Sequence, residues 1–385
     1  MAGKKLRIGI LTFWWSADNY GQLLQCYALQ KYLRDAGHDA FLIRYNPEND
    51  FVRTPLWKRI LKAFNPVLLF NYLNLKNRKR LSRAEQKQHR RRFDEFRTKY
   101  IVQSEKIYRS YSELKESPPE ADCYIVGSDQ VWNVFGNSNP HYLNSFFLNF
   151  GDKRIKRIAY AVSWGSCPED FESKTIADLL RNFELITCRE KSGVSICKNN
   201  GVSAKLVCDP TLLLAASEWK KLCTPTKINK KYVFAYMLKN TCKFSYKKMK
   251  NWADLHNLDV VYVSGNYGYC SVNFHDKHSV LSYPNICEWL GLIASAEYVV
   301  TNSFHCSVFS LLFRKKIATI PLSGMLKNSN ARISTLFSSL KADNVEIMGN
   351  NFDVLFSCMN QSIEESFIDE SKRILIDSLD FGGAQ

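Results

Sequence analysis

The sequence predicts an α/β fold of two doubly wound domains facing a cleft. Three observations support this. Short apolar, β-branched runs recur along the chain, each emptying into a polar loop and then an amphipathic helix. The pattern breaks near Thr224-Pro225-Thr226-Lys227 and then starts again. At 385 residues, 45% of them hydrophobic, the chain is long for a single core. The expected units are residues 1–224, 225–355 and a C-terminal helical segment, 356–385, that packs back on the first unit.

Leu6 to Phe13 is near-continuously apolar after Arg7, as a central parallel strand should be. A polar, aromatic loop from Trp14 to Gly21 follows. A helix from about Gln22 to Ala36 buries Leu24, Ala28, Leu29, Tyr32 and Leu33, with Gly37 as its stop. Asp39 to Tyr45 completes a βαβ unit that lacks Gly-x-Gly-x-x-Gly, so a dinucleotide fingerprint is unsupported. After a basic helical insertion, at about residues 52–115, strands resume at Ala121–Val126, Arg157–Val162, Leu185–Cys188 and Leu206–Cys208. They end in Gly127-Ser128-Asp129, Ser163-Trp164-Gly165, Arg189-Glu190 and Asp209-Pro210-Thr211. In a parallel sheet such loops gather function along the carboxyl edge. The second unit starts at Lys231–Leu238 and continues through a helix at about 244–256, strand Val260–Val263 and a helix at about 286–294. The strand Lys316–Pro321 comes later, and 360–379 reads as an amphipathic helix.

The chain is organised around Tyr298–Phe309. Tyr298 to Thr301 is a buried strand, Asn302-Ser303 is a capping turn, and Val308, Phe309, Leu311 and Leu312 recur at helical spacing. His305 then falls in the first helical turn, where free backbone N–H groups suit a phosphate or carboxylate. An imidazole adds a group that gives or takes a proton near neutral pH. A capped helix with a structural histidine is the alternative.

The net charge of +16 is uneven: residues 52–115 hold 18 Lys/Arg against 5 Asp/Glu. This segment includes Lys76–Arg80 and Arg90-Arg91-Arg92 beside an apolar patch, Val67–Leu73, far too short to span a bilayer. It suits an anionic membrane surface, with nucleic acid or a merely solvated face as rivals. The 12 cysteines lack Cys-x-x-Cys spacing, and five of them sit mostly in apolar runs. They read as reduced core thiols of a cytoplasmic protein that begins without a signal peptide. His275 and His278 have no cysteine pair nearby, so no metal site is expected.

Five ordered blocks resemble the polysaccharide pyruvyl transferase family. They are Asp18-Asn19-Tyr20-Gly21 running into Leu24–Gln30, Val126–Asn133, Arg189–Gly193, Asp209–Leu214 and Thr301–His305. The resemblance implies a glycosyltransferase-B-like pair of Rossmann-type domains, with the acceptor on the first and the donor on the second. It also implies transfer of pyruvate from phosphoenolpyruvate to two hydroxyls of one sugar, with release of phosphate. Ser303 stands where the family's better-studied branch carries arginine, and Cys306 where glycine is usual.

In that setting His305 is the candidate for donor contact and proton transfer, with Asn302, Ser303 and Ser307 as helix-terminus contacts. Arg189 can fork onto the donor's phosphate or carboxylate, or pair with a carboxylate such as Glu190. Arg332 is expected to replace the absent arginine. Asp129 can deprotonate or orient an acceptor hydroxyl, or merely cap a turn. Asp18, Asn19, Tyr20 and Trp14, with Trp15, offer hydrogen bonds and flat faces for a sugar, or pack as an ordinary βα loop. Tyr236 is a further cleft candidate. The implied partners are phosphoenolpyruvate, a sugar or lipid-linked oligosaccharide acceptor, and an anionic membrane met by residues 52–115. Neither a cofactor nor nucleic acid is expected. Three rivals remain: a nucleotide-sugar-dependent glycosyltransferase of the same fold, a basic nucleic-acid-binding protein, and a relative without catalytic activity.

Overall fold

The computed structural model describes residues 4–47, 77, 80–134, 139–238, 244–265, 280–281 and 283–380. The patch Val67–Leu73, most of Lys76–Arg80 and the pair His275 and His278 therefore lie outside the described residues.

The first sheet has seven parallel strands: β1 (Arg7–Leu11), β2 (Asp39–Tyr45), β3 (Gln103–Tyr108), β4 (Cys123–Val126), β5 (Lys156–Val162), β6 (Leu185–Cys188) and β7 (Lys205–Leu206). Their order in space is β3-β2-β1-β4-β5-β6-β7. The second sheet has six: β8 (Tyr232–Met237), β9 (Asp259–Ser264), β10 (Val280–Leu281), β11 (Tyr298–Thr301), β12 (Lys316–Thr319) and β13 (Val345–Glu346), in the order β10-β9-β8-β11-β12-β13. In both, the order reverses beside the first strand, between β1 and β4 and between β8 and β11. The crevice at such a switch point is where open α/β sheets hold their ligands. The register is continuous there: Ile8 to Leu11 face Cys123 to Val126, and Tyr298 to Thr301 face Val233 to Tyr236.

Helix α1 (Tyr20–Asp35) starts two residues earlier than the apolar spacing suggests. The Asn19 side chain caps it by accepting from the Gln22 N–H, and Gly37 at φ +96° closes it as expected. The insertion is not helical throughout. Residues 80–88 and α2 (Phe93–Tyr100) are, but Gln103–Tyr108 is strand β3. Its side chains are mostly exposed because it is an edge strand, so the alternation that announces a strand is weak. A short helix, α3 (Tyr111–Glu116), follows it. Three more precede the interdomain break: α4 (Pro140–Phe146), α5 (Lys174–Leu180) and α6 (Lys191–Asn199). α7 (Ala216–Lys220) leads into it.

In the second half, α8 (Tyr246–Leu255), α9 (Ile286–Ser295), α10 (Phe304–Leu312) and α11 (Asn330–Ser339) flank the sheet. α12 (Ser366–Asp377) meets the first sheet: Ser371 Oγ accepts from the Cys208 N–H at 2.9 Å, and Lys156 Nζ donates to Ser378 O at 2.9 Å. Cys26, Cys123, Cys188, Cys208 and Cys306 are all buried free thiols.

One apolar core runs through both halves, joining α1 residues such as Leu24 and Leu29 to Trp289, Val308 and Phe309. At the joint, Tyr20 stacks on Trp289 with centroids 4.8 Å apart and planes 10° apart, and its hydroxyl donates to Pro284 O at 2.6 Å. The Arg91 guanidinium lies 5.4 Å from the Tyr20 ring and donates to Ser264 O at 2.8 Å. No helix among the described residues is long and apolar enough to cross a membrane.

Candidate functional site

The two switch points meet in a cluster of charge. Arg189, the first residue beyond β6, is buried, and its Nη1 donates to Asp209 Oδ2 at 2.7 Å. Its Nη2 reaches Asp129 Oδ1 at 3.4 Å, and Glu190 lies 3.8 Å from its Nε. Burial works against this guanidinium, but the three carboxylates outweigh it and raise its pKa. Its face rests on the Phe304 ring at 4.4 Å.

Asp209 caps the turn Pro210–Leu212, accepting from the Thr211 N–H and hydroxyl at 3.1 and 2.7 Å. Its other oxygen faces Arg189, Ser128 Oγ at 3.0 Å and His305 Nε2 at 3.6 Å. Burial opposes its charge, yet His305, Arg189 and the Thr211 amide hold its carboxyl well below the usual range. Asp209 is therefore a carboxylate at any working pH. Burial pushes Glu190 up, against the pull of Arg189 and Arg332 and of the Trp164 N–H. Arg332, on α11, belongs to the same field: burial and the neighbouring Arg189 push its pKa down to about 10, so it too stays charged.

His305 is the second residue of α10, whose N-cap is Ser303. The residue is only 8% exposed, and Nε2 makes no hydrogen bond among the described residues. The ring reaches across the domain joint to α1. A Cβ at Gly21 would lie 1.9 Å from Nδ1, so only glycine lets the helix come this close. Gly21→Ala should cost about 1–3 kcal/mol through overpacking. Thermal unfolding of the double-mutant cycle with His305→Ala checks the cause, since the penalty should largely vanish once the ring is gone. An equal penalty in both backgrounds would show that the imidazole is not what the methyl meets.

The neighbours of His305 shape the turn. Asn302 Oδ1 accepts from the Leu238 N–H at 2.8 Å, tying β11 to the end of β8. Ser303 Oγ accepts from the Cys306 N–H at 3.4 Å, and Ser307 Oγ donates to Ser303 O at 3.0 Å. Asn302, expected to share the capping role, instead serves the neighbouring strand.

On the first domain, a cavity of about 400 Å³ opens beside Asp129, lined by Phe13, Asn19, Gln22, Gln130, Asn133 and Tyr142. Four amides and two rings are groups that suit the hydroxyls and faces of a sugar. Asp129 sits at φ +66°, a left-handed conformation that aspartate tolerates better than most residues. Among the residues expected to meet an acceptor, Asn19 lines this cavity. Asp18 stays in the loop, with its carboxylate on Ser16 Oγ at 3.0 Å. Trp14 Nε1 donates to Tyr45 O at 2.9 Å while its ring packs on the core.

Tyr20 and Tyr236 require correction: both rings are buried at the domain joint, because their aromatic surface is used in packing against Trp289. Sequence reasoning gave no role to Asp209, Ser128 or Gly21, or to the cavity's Gln22, Gln130, Asn133 and Tyr142. An Asp-Pro-Thr step directly after an apolar strand was the available signal for Asp209. No group of three or more His, Cys, Asp or Glu is placed to hold a metal among the described residues.

Two facing, doubly wound sheets with a charged cluster at their switch points define a glycosyltransferase-B-like protein. Solved structures agree on the fold. The UDP-GlcNAc 2-epimerase of Methanocaldococcus jannaschii, in complex with UDP-GlcNAc and UDP, is similar over 97% of this chain and 99% of its own, at 11% identity and a TM-score of 0.50. The UDP-N-acetylglucosamine 2-epimerase of Rickettsia bellii is similar over 98% and 96%, at 7% identity and a TM-score of 0.54. No curated protein sequence matches the chain. Residues 19–323 match the family described as Polysaccharide pyruvyl transferase, and the chain belongs to that family.

Proposed function

We propose that this protein moves the pyruvyl group of phosphoenolpyruvate onto two hydroxyls of one sugar, in a cell-surface polysaccharide or its lipid-linked precursor. The observation that carries this reading is His305 Nε2, a buried nitrogen that meets no hydrogen-bond criterion among the described residues and lies 3.6 Å from the ionised Asp209 where the domains meet. Family membership supplies the reaction class.

In the proposed route a proton goes to C3 of the enol, making it a methyl group and C2 an electrophile. A first sugar hydroxyl adds to C2 and gives up its proton. The C2–O bond to phosphate then breaks, and a second hydroxyl closes the ring as its proton leaves. One of the two hydroxyl protons balances the methyl group and the other departs with phosphate. His305 moves the proton at C3, and Asp129, bordering the sugar-sized cavity, receives a hydroxyl proton. Arg332 supplies positive charge for the donor's phosphate and carboxylate, Arg189 holds Asp209 and Asp129 in place through its ion pairs, and Asn302, Ser303 and Ser307 hold the helix end that faces the donor. The route calls on no cofactor. A lipid-linked acceptor would bring a cytoplasmic enzyme to the inner membrane face, with the basic segment as its contact.

Incubation with phosphoenolpyruvate and a panel of β-galactosyl acceptors should release phosphate and add mass to one of the sugars. Phosphoenolpyruvate should also raise Tm where nucleotide sugars do not. Stabilisation by nucleotide sugars alone, with no acceptor modified, would overturn the reading.

A further inference from the structure

A second cavity, of about 220 Å³, lies on the other side of the loop that leads into α1. Its lining includes Arg90, Arg91, Arg92 and Arg97, with Ala17 and Asp94. The loop is shared: Asn19 borders the sugar-sized cavity and Ala17 borders this one.

Each arginine is held in place. Arg97 Nη1 donates to Ser16 O at 2.8 Å and also reaches Trp14 O at 3.4 Å, and among the described residues it has no carboxylate within ion-pair distance. Arg91 is 2% exposed and donates to Ser264 O and Asp18 O, fixing it across the domain joint. Arg90 and Arg92 stand at the mouth with side chains 67% and 64% exposed, paired to Asp94 at 3.0 Å and Glu95 at 3.8 Å. Arg92 is also the N-cap of α2, at φ +53°, and no side chain caps that helix. Its first-turn N–H groups and the positive end of its dipole add to the guanidinium field. Four guanidinium groups against Asp94 in the lining and Glu95 beside it leave the cavity with a net positive charge. Planar forks at this density match the oxygens of phosphate better than a single negative side chain does.

We propose that this arginine-lined cavity is an oxyanion site that takes a phosphate or diphosphate group. Its place beside the acceptor loop makes that group the anionic end of an acceptor whose sugar sits in the neighbouring cavity. Only this last identification rests on the pyruvyl-transfer reading.

Isothermal titration of the intact protein with inorganic pyrophosphate and with farnesyl diphosphate tests the site without any turnover, so it stands or falls apart from the reaction. Both probes should bind, and the double variant Arg90→Gln/Arg92→Gln should weaken each by about tenfold or more. Arg154→Gln, which removes a still more exposed arginine paired to Asp152, should change neither. Tighter binding of farnesyl diphosphate than of pyrophosphate supports the site with a lipid as the carrier, and equal binding supports it with a soluble diphosphate. No heat with either probe, or an equal loss in Arg154→Gln, would overturn it. Arg90 and Arg92 are exposed, so their loss leaves the fold intact.

Discussion

Arg189→Met is expected to destabilise the fold by about 3–5 kcal/mol, the usual penalty for removing one partner of a buried ion pair. The side chain volume is nearly kept, so the loss would come from charge rather than from a hole. Without the guanidinium, Asp209, Asp129 and Glu190 would face one another with Arg332 as a remaining cation. Urea unfolding measures the difference, and a loss below about 1 kcal/mol would show that the carboxylates do not depend on Arg189. The acid side of the stability curve should move as well. Asp209 has a depressed pKa in the fold, so its contribution is complete above the ordinary aspartate value of about 3.9 and is lost as pH falls. Removing Arg189 weakens that depression, so acid unfolding should begin at a higher pH. Adding Asp209→Asn should recover part of the loss, since one of the stranded charges is then gone.

His305→Ala should lower kcat by roughly 100- to 10,000-fold, the range ascribed to a positioned acid or base. The ring is also one of the groups that hold Asp209 ionised, so the variant should lose some stability, and its kcat is to be measured on protein shown to be folded by circular dichroism. His305→Gln is the informative partner. It keeps a polar group near Asp209 but cannot exchange a proton, so it should be nearly as inactive as alanine. If His305→Gln retained most of the activity, the ring would be a spacer and the proton would travel elsewhere.

Much of the architecture could be read from the residues because buried parallel strands are written as unbroken apolar runs. Asp39–Tyr45 and Tyr298–Thr301 fall where that pattern places them. The same logic failed for Gln103–Tyr108, an edge strand whose exposed residues carry no apolar code. His305 and Ser303 were legible as a helix start because capping is local chemistry. Tyr20 was not, since a loop aromatic gives no hint whether it will meet a ligand or an indole 269 positions away. Arg189 left two readings open for a similar reason. Its carboxylate partners Asp129 and Asp209 come from different strands, and only the sheet order brings them together. The arginine cavity depends on the chain near Ala17 returning to α2, a juxtaposition with no signature in either segment.

The continuous core beneath the stacked Tyr20 and Trp289 has a mechanical consequence. Any swing of the halves over it would have to wet aromatic surface, so this core resists their separation. Anything that enters between the halves must replace those contacts with its own. Small, densely charged guests do this poorly, because they offer no apolar surface in exchange.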